Sequence, residues 1–363
     1  MKEYKRPYES WTDLRERRKQ IEIKEPVRLL DDNGNLLVKG WARRNIFEYD
    51  RTKARPQWRG KEWDFYQISN GRQLVQISTA NISVAGYAMA TFIDFATGET
   101  HSALDYHIGG KNKYVLPANG NTPNYYKYKH GKAELEFDTR ENYRTIKFKG
   151  ASKSGRVECD FHMDMFDNHE NITIVTPFKD MPTRFFLTMK QNSMPCSGTF
   201  RVGDKIYEFS KEDTFCVLDW GRGVWPYKNC WYWGNGAKYI TDDKGNKHIF
   251  GFEITWGIGD ESFASETCLF LDGKAHKIGA VDVEKFPKGK WMQPWHFVSD
   301  DGKFDMTMTP FYNNATNMNV LGLLKMQCDQ LHGIWNGTVV LEDNTKLEIK
   351  DMYAFCEYVE NLW

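Results

Sequence analysis

Short runs of alternating apolar and polar residues, broken repeatedly by Asp-Gly, Asn-Gly and related pairs, leave this chain few folds to choose from. Residues 27–30 and 36–41 flank the turn Asp32-Asn33-Gly34-Asn35. Ala96-Thr97-Gly98, Asp242-Asp243-Lys244-Gly245, Asp300-Asp301-Gly302 and Asp343-Asn344 separate later runs in the same way. Glycine, asparagine and aspartate supply the positive φ angles of tight hairpin turns. A period of two places alternate residues on one buried face, the pattern of a β-strand. Further strands are expected at 74–77, 87–94, 133–138, 145–149, 156–161, 172–176, 185–190 and 198–202. More follow at 215–219, 249–256, 266–271, 304–310, 333–341 and 346–358.

Aromatic residues make up 15% of the chain and favour strands. No β-α-β rhythm appears, so the sheets are expected to be antiparallel and the fold all-β. The exception is residues 9–23, where Trp11, Leu14 and Arg18 share a side and predict a short helix. The 363 residues suffice for one large or two ordinary domains. A polar stretch at 191–198 interrupts the strands and suggests a boundary. The expectation is a helical segment over 1–24, a first antiparallel β-barrel over 25–192, and a second over 193–363 packed against it.

With 49 basic and 49 acidic residues the formal net charge is zero, which gives no electrostatic case for nucleic acid or an anionic membrane as partner. The basic cluster at 15–19 reads as a solvated helix face. No apolar stretch is long enough to span a bilayer, and the first residues do not read as a signal peptide. The seven cysteines include no C-x-x-C pair, against a disulfide scaffold or structural zinc. A cytoplasmic setting is expected. Dinucleotide, P-loop and serine-elbow motifs are absent, so no cofactor is expected, and the partner is expected to be a small molecule.

The chemistry concentrates in Asp219-Trp220-Gly221-Arg222-Gly223-Val224-Trp225-Pro226-Tyr227-Lys228-Asn229-Cys230-Trp231-Tyr232-Trp233-Gly234. Phe215, Val217 and Asp219 alternate onto one face, so the acid points where the apolar residues point. A buried carboxylate is costly unless paired, and Arg222 is the expected partner. Trp225, Tyr227, Trp231, Tyr232 and Trp233 are candidate ligand contacts. Adjacent aromatics on a strand face both ways, so they cannot all be core. Glu253 shares a small, polar strand face with Gly251, Thr255 and Gly257, and Glu266 is a weaker acid candidate. Glu357 shares an aromatic face with Tyr353, Phe355 and Val359, with an arginine, Arg222 among them, as its expected partner. His162, Asp164, Asp167 and His169 do not match a known metal-ligand spacing, and no metal is expected.

Leu30-Asp31-Asp32-Asn33-Gly34 followed by Gly40-Trp41-Ala42-Arg43 resembles the start of a bacterial family known as domain of unknown function 2804. Trp63-Asp64-Phe65-Tyr66, Gly86-Tyr87 and the Asp219–Trp233 stretch resemble its later motifs. So do Gly333-Ile334-Trp335-Asn336-Gly337-Thr338-Val339-Val340-Leu341, Glu357 and Trp363. The resemblance runs from about residue 25 to the end. It implies an architecture distantly similar to the paired lipocalin-like barrels of carotenoid hydratases, tocopherol cyclases and Diels–Alder-type cyclases. Those proteins hold apolar substrates in a barrel pocket and act on them with acids.

Three functions fit these residues. In the first, Asp219, helped by Arg222, relays a proton to an apolar substrate in a hydratase, isomerase or cyclase that needs no cofactor. The second is a small-molecule binding protein without catalysis. The third is a carbohydrate hydrolase using Asp219 with Glu253 or Glu357.

Overall fold

The structure is a computed structural model that describes residues 19–109, 115–121, 123–242, 244–284, 289–322 and 324–362. Three short strands open it: β1 (Val27–Arg28), β2 (Gly40–Ala42) and β3 (Phe47–Glu48). A run of long ones follows: β4 (Gly60–Ser69), β5 (Gln73–Asn81), β6 (Ala85–Asp94), β7 (Thr100–Ile108), β8 (Asn124–His130) and β9 (Ala133–Thr139). Next come β10 (Tyr143–Ser152), β11 (Gly155–Asp164), β12 (Ile172–Phe178), β13 (Met181–Val202), β14 (Lys205–Phe209) and β15 (Phe215–Val224). The remainder is β16 (Lys228–Thr241), β17 (Lys247–Trp256), β18 (Cys268–Leu271), β19 (Lys274–Lys277) and β20 (Val281–Glu284). It closes with β21 (Trp295–Ser299), β22 (Phe304–Val320), β23 (Leu324–Val340) and β24 (Lys346–Leu362).

β1 and β3 pair with each other in parallel, and the other strands build two large antiparallel sheets that curl into a near-barrel and a half-barrel. The first has 13 strands along the path β7-β6-β5-β4-β15-β13-β11-β10-β9-β8, with β2, β12 and β14 attached. Its two ends meet through side chains: Asp105 on β7 accepts from the Tyr128 hydroxyl of β8 at 2.9 Å. The second has nine strands in the order β19-β18-β17-β16-β24-β23-β22-β21-β20. The all-β expectation holds. At the first turn, Asp31 Oδ1 accepts from the backbone N–H of Asn33 and of Asn35 at 2.8 Å, and Gly34 takes a φ of +85°.

Each sheet fills its own interior. Tyr66, Ile77, Phe92, Phe137, Phe148 and Trp220 belong to the first core. Tyr232, Phe252, Trp256, Phe297, Trp335 and Tyr358 belong to the second. The outer face of each sheet is also covered where the two meet, so β15 is buried along its whole length. A third cluster, with Trp41 and Ile174 on one side and Cys268 and Phe270 on the other, joins the sheets at one end.

Two expectations about organisation are corrected. The stretch 191–198 is not a boundary, because β13 runs through it with a bulge between Gln191 and Met194. Its polar residues serve the bulge: Ser193 takes a φ of +60°, and the Asn192 amide donates to Phe252 O at 2.9 Å in β17 of the second sheet. Gly251 on β17 leaves room for this contact, since a Cβ there would lie 2.2 Å from Ser193 Oγ. The chain changes sheet after Val224, thirty-odd residues later than expected. The predicted helix over 9–23 falls mostly outside the described residues. Its last part, 19–23, is not helical: Gln20 takes a φ of +44°, and Glu22 is bridged in parallel to Trp41.

Candidate functional site

Strand β15 carries the central motif with its two faces divided. Trp220, Arg222 and Val224 turn towards the first core, and Asp219, Gly221 and Gly223 turn towards the second sheet. The glycines answer close approaches. Gly221 lies opposite Trp63 of β4, and a Cβ on it would sit 2.1 Å from the Trp63 ring. A Cβ on Gly223 would sit 2.4 Å from the Phe185 carbonyl oxygen.

Asp219 and Arg222 are therefore not partners. Residues three apart on a strand point to opposite faces, and the strand continues to Val224 without a turn. Arg222 is fully buried in the first core. It donates to Asp64 Oδ1 at 2.9 Å, to Trp63 O at 2.7 Å and to Pro117 O at 2.8 Å, and it stacks over Trp220. The partner of Asp219 is Lys190, directly opposite on β13, with Nζ 2.6 Å from Oδ1. Trp63 Nε1 donates to the other oxygen at 3.1 Å. Lys190 is 3% exposed, and its Nζ lies 4.2 Å above the Trp233 ring. Burial pulls the lysine pKa down, but the Asp219, Glu266 and Glu253 carboxyls outweigh this and hold it above the usual range.

This pair forms part of the wall of a cavity of about 310 Å³, a size suited to a small organic molecule. The cavity lies between the two sheets, against the outer face of each, not in the lumen of either barrel. One end is aromatic, with Trp63, Phe186, Trp225, Trp231 and Ile258. The other carries Gln76, Gln330 and Asn314. Gln76 Nε2 donates to Gln330 Oε1 at 2.7 Å, and Gln330 Nε2 donates to Glu357 Oε2 at 3.1 Å.

Two further acids face this space. Glu357 on β24 accepts from Trp231 Nε1 at 2.9 Å as well as from Gln330, so an indole and an amide replace the expected arginine. Burial pushes its carboxyl above the ordinary value against the pull of those hydrogen bonds. Glu266 precedes β18 in the connecting loop and is 3% exposed. Burial raises its pKa too, against the pull of Lys190. The Thr255 and Thr188 hydroxyls also pull it down as weak hydrogen-bond donors, but neither carboxyl oxygen of Glu266 has a hydrogen-bond partner of good geometry. A buried polar group left in this condition calls for an explanation.

Glu253 lies outside the cavity wall. Both its oxygens are occupied, one by Trp233 Nε1 at 2.9 Å and one by the Asn192 amide at 2.8 Å. Burial pushes its pKa up to about 8. Of the expected aromatic contacts, Trp225, Trp231 and Trp233 line the cavity. Tyr232 turns the other way into the second core, stacked on Trp256 at 4.6 Å between ring centroids. Tyr227 is 44% exposed in the turn between β15 and β16 and does not line the cavity. Among the described residues no group of three or more His, Cys, Asp or Glu side chains is arranged to hold a metal ion.

Sequence reading missed Lys190, Trp63 and the amide row. Lys190 stood at the end of the strand expected over 185–190, where a lysine reads as a solvated terminus. Its signal was the alternation Phe186, Thr188, Lys190, which puts it on the face of Phe186.

Fold and site thus define a two-sheet antiparallel β-protein with an acid-bearing aromatic cavity between the sheets. The chain belongs to the family described as Domain of unknown function (DUF2804), which it matches over residues 20–363. No characterised protein matches it in sequence. Among solved structures, kievitone hydratase from Nectria haematococca is similar at 11% identity and a TM-score of 0.40, over 93% of this chain and 97% of the other. CghA is similar at 10% identity and a TM-score of 0.44, over 84% of this chain and 87% of the other. No helix among the described residues is long and apolar enough to cross a membrane.

Proposed function

We propose that the protein is an acid/base enzyme of hydratase, isomerase or cyclase type, acting without an organic cofactor on a largely apolar small molecule between the two sheets. The observation that carries this reading is Glu266. A carboxyl that lines an aromatic cavity, has its pKa raised by burial and has no hydrogen-bond partner of good geometry is equipped to give a proton to a bound molecule. Asp219, beside Lys190, would face the charge that this transfer creates. Trp225, Trp231 and Trp233 would bind the apolar body of the substrate. Glu357, anchored by Trp231 and Gln330, would be the second acid. Glu253 would act at one remove by fixing the Trp233 ring, and Arg222 by bracing β15 from its other face.

The paired-carboxylate hydrolase reading finds less support. Glu253 has no oxygen to spare, and Asp219 is occupied by Lys190 and Trp63.

Native mass spectrometry of freshly purified protein, followed by organic extraction, should identify a retained compound. Incubated with that compound in deuterium oxide, the protein should place deuterium on carbon. Glu266→Gln should slow the exchange by roughly 100-fold or more while retaining the compound. Undiminished exchange in the variant removes Glu266 from the chemistry. Retention without exchange in the unmodified protein makes it a carrier.

A further inference from the structure

We infer that the cavity is built to hold positive charge: it binds apolar organic cations, and a neutral substrate would become cationic within it. This rests on the acid/base reading and specifies the charge of the species held. The wall carries three carboxyl groups, Asp219, Glu266 and Glu357, and one cation, Lys190. Lys190 is already committed to Asp219 at 2.6 Å. Glu357 has three donors, Trp231, Gln330 and the Cys328 thiol, but no cation in contact. Glu266 has no cation in contact and only the weak donors Thr255 and Thr188, neither in good hydrogen-bond geometry, and it faces the cavity at 3% exposure.

The rings agree in sign. Trp63, Trp225, Trp231 and Trp233 line the space, and the face of an indole is negative and attracts cations. Lys190 already uses the face of Trp233 in this way. A carboxylate ligand would meet acids and ring faces together and be repelled by both. A neutral hydrocarbon ligand would leave Glu266 unanswered. A cation would satisfy Glu266 once its proton has left, which is also the arrangement reached when Glu266 protonates a substrate. The proton moves from the Glu266 carboxyl to the substrate, the charge appears on the substrate, and no other reactant is needed.

A permanent cation favours the ionised carboxylate, so its binding is coupled to proton release at any pH where Glu266 still holds its proton. The groups acting on Glu266 are Lys190 from β13, Asp219 from β15 and Glu253 from β17, with Glu357 of β24 on the same cavity. Burial holds Glu266 and Glu357 above the usual carboxyl range, so cation affinity should rise with pH through that raised range.

Benzyltrimethylammonium and neopentylbenzene have the same shape and differ only in charge, and phenylacetate supplies the opposite sign. Calorimetry on the full chain should find the ammonium ion bound about tenfold or more tighter than neopentylbenzene, with phenylacetate weakest. Titrations in buffers of different ionisation enthalpy should show proton release with the ammonium ion alone. Glu266→Gln should lower ammonium affinity about tenfold and leave neopentylbenzene unchanged, which also shows that the cavity is intact. Equal affinity for the ammonium ion and its carbon isostere, or tighter binding of phenylacetate, overturns the inference. Deuterium exchange is read separately, so loss of the catalytic reading leaves this result standing, and the reverse also holds.

Discussion

Arg222→Leu is expected to lower stability by about 3–5 kcal/mol, because it leaves a buried carboxylate without its counter-charge. Asp64 is 7% exposed, and burial holds its pKa above the ordinary aspartate value even with Arg222 beside it. The substitution also strips a donor from Pro117 O and a stacking partner from Trp220. Arg222→Lys should recover only part of the loss, since an ammonium group cannot reproduce the fork that reaches Asp64, Trp63 O and Pro117 O together. Urea midpoints measure this directly. Combining Arg222→Leu with Asp64→Leu should restore much of the stability, because the orphaned charge is then gone. A single variant with an unchanged midpoint would show that the pair is not the brace described.

The second large effect is a loss of stability as pH rises. Glu253 titrates near 4.5 in an unfolded chain and at about 8 here. The folded state binds the proton more tightly, so its contribution is complete below the unfolded value. It is then lost as pH climbs through the folded value. Taken alone, that shift corresponds to roughly 4–5 kcal/mol across the window. Glu253→Gln should flatten this slope, because a neutral amide has no proton to lose. It should cost about 1–2 kcal/mol at low pH, since the amide has one accepting oxygen and its NH2 group would face a donor, Trp233 or Asn192. Denaturant midpoints collected on both sides of neutrality for the two proteins test this. Parallel slopes would assign the pH dependence to another group.

How far the sequence was legible depends on what set each residue's direction. Alternation within a strand is a local property. It correctly placed Asp219 with Phe215 and Val217, put Glu357 with Phe355 and Val359, and required adjacent aromatics over 231–233 to face both ways without assigning which. Errors arose where strand length had to be judged. The strand expected over 215–219 stopped short of Gly221 and Gly223, which left Arg222 free to fold back onto Asp219. In fact they keep the strand straight beneath the Trp63 ring and against the Phe185 carbonyl. Lys190 read as a strand end because the polar bulge after it resembled a turn. Its pairing with Asp219 is a contact between strands, and no spacing along one strand encodes it. The position of the cavity was hidden for the same reason. An alternating strand shows which residues lie together, but not whether the second face meets water or another sheet.

The bulge at Asn192 and Ser193 has a consequence for how the protein holds together as a whole. Part of the first sheet is seated on Gly251 and bonded to Phe252 and Glu253 of the second. Asp219 and Lys190 come from one sheet, while Glu357 and Trp233 come from the other. Neither sheet alone has a finished outer face, so a fragment ending after Val224 would expose half of an acid-lined aromatic cavity to water. The chain should therefore melt as one cooperative unit despite having two cores, with tryptophan fluorescence and backbone dichroism reporting the same transition. Severing the polypeptide at the β15–β16 turn would then separate two pieces that cannot persist apart.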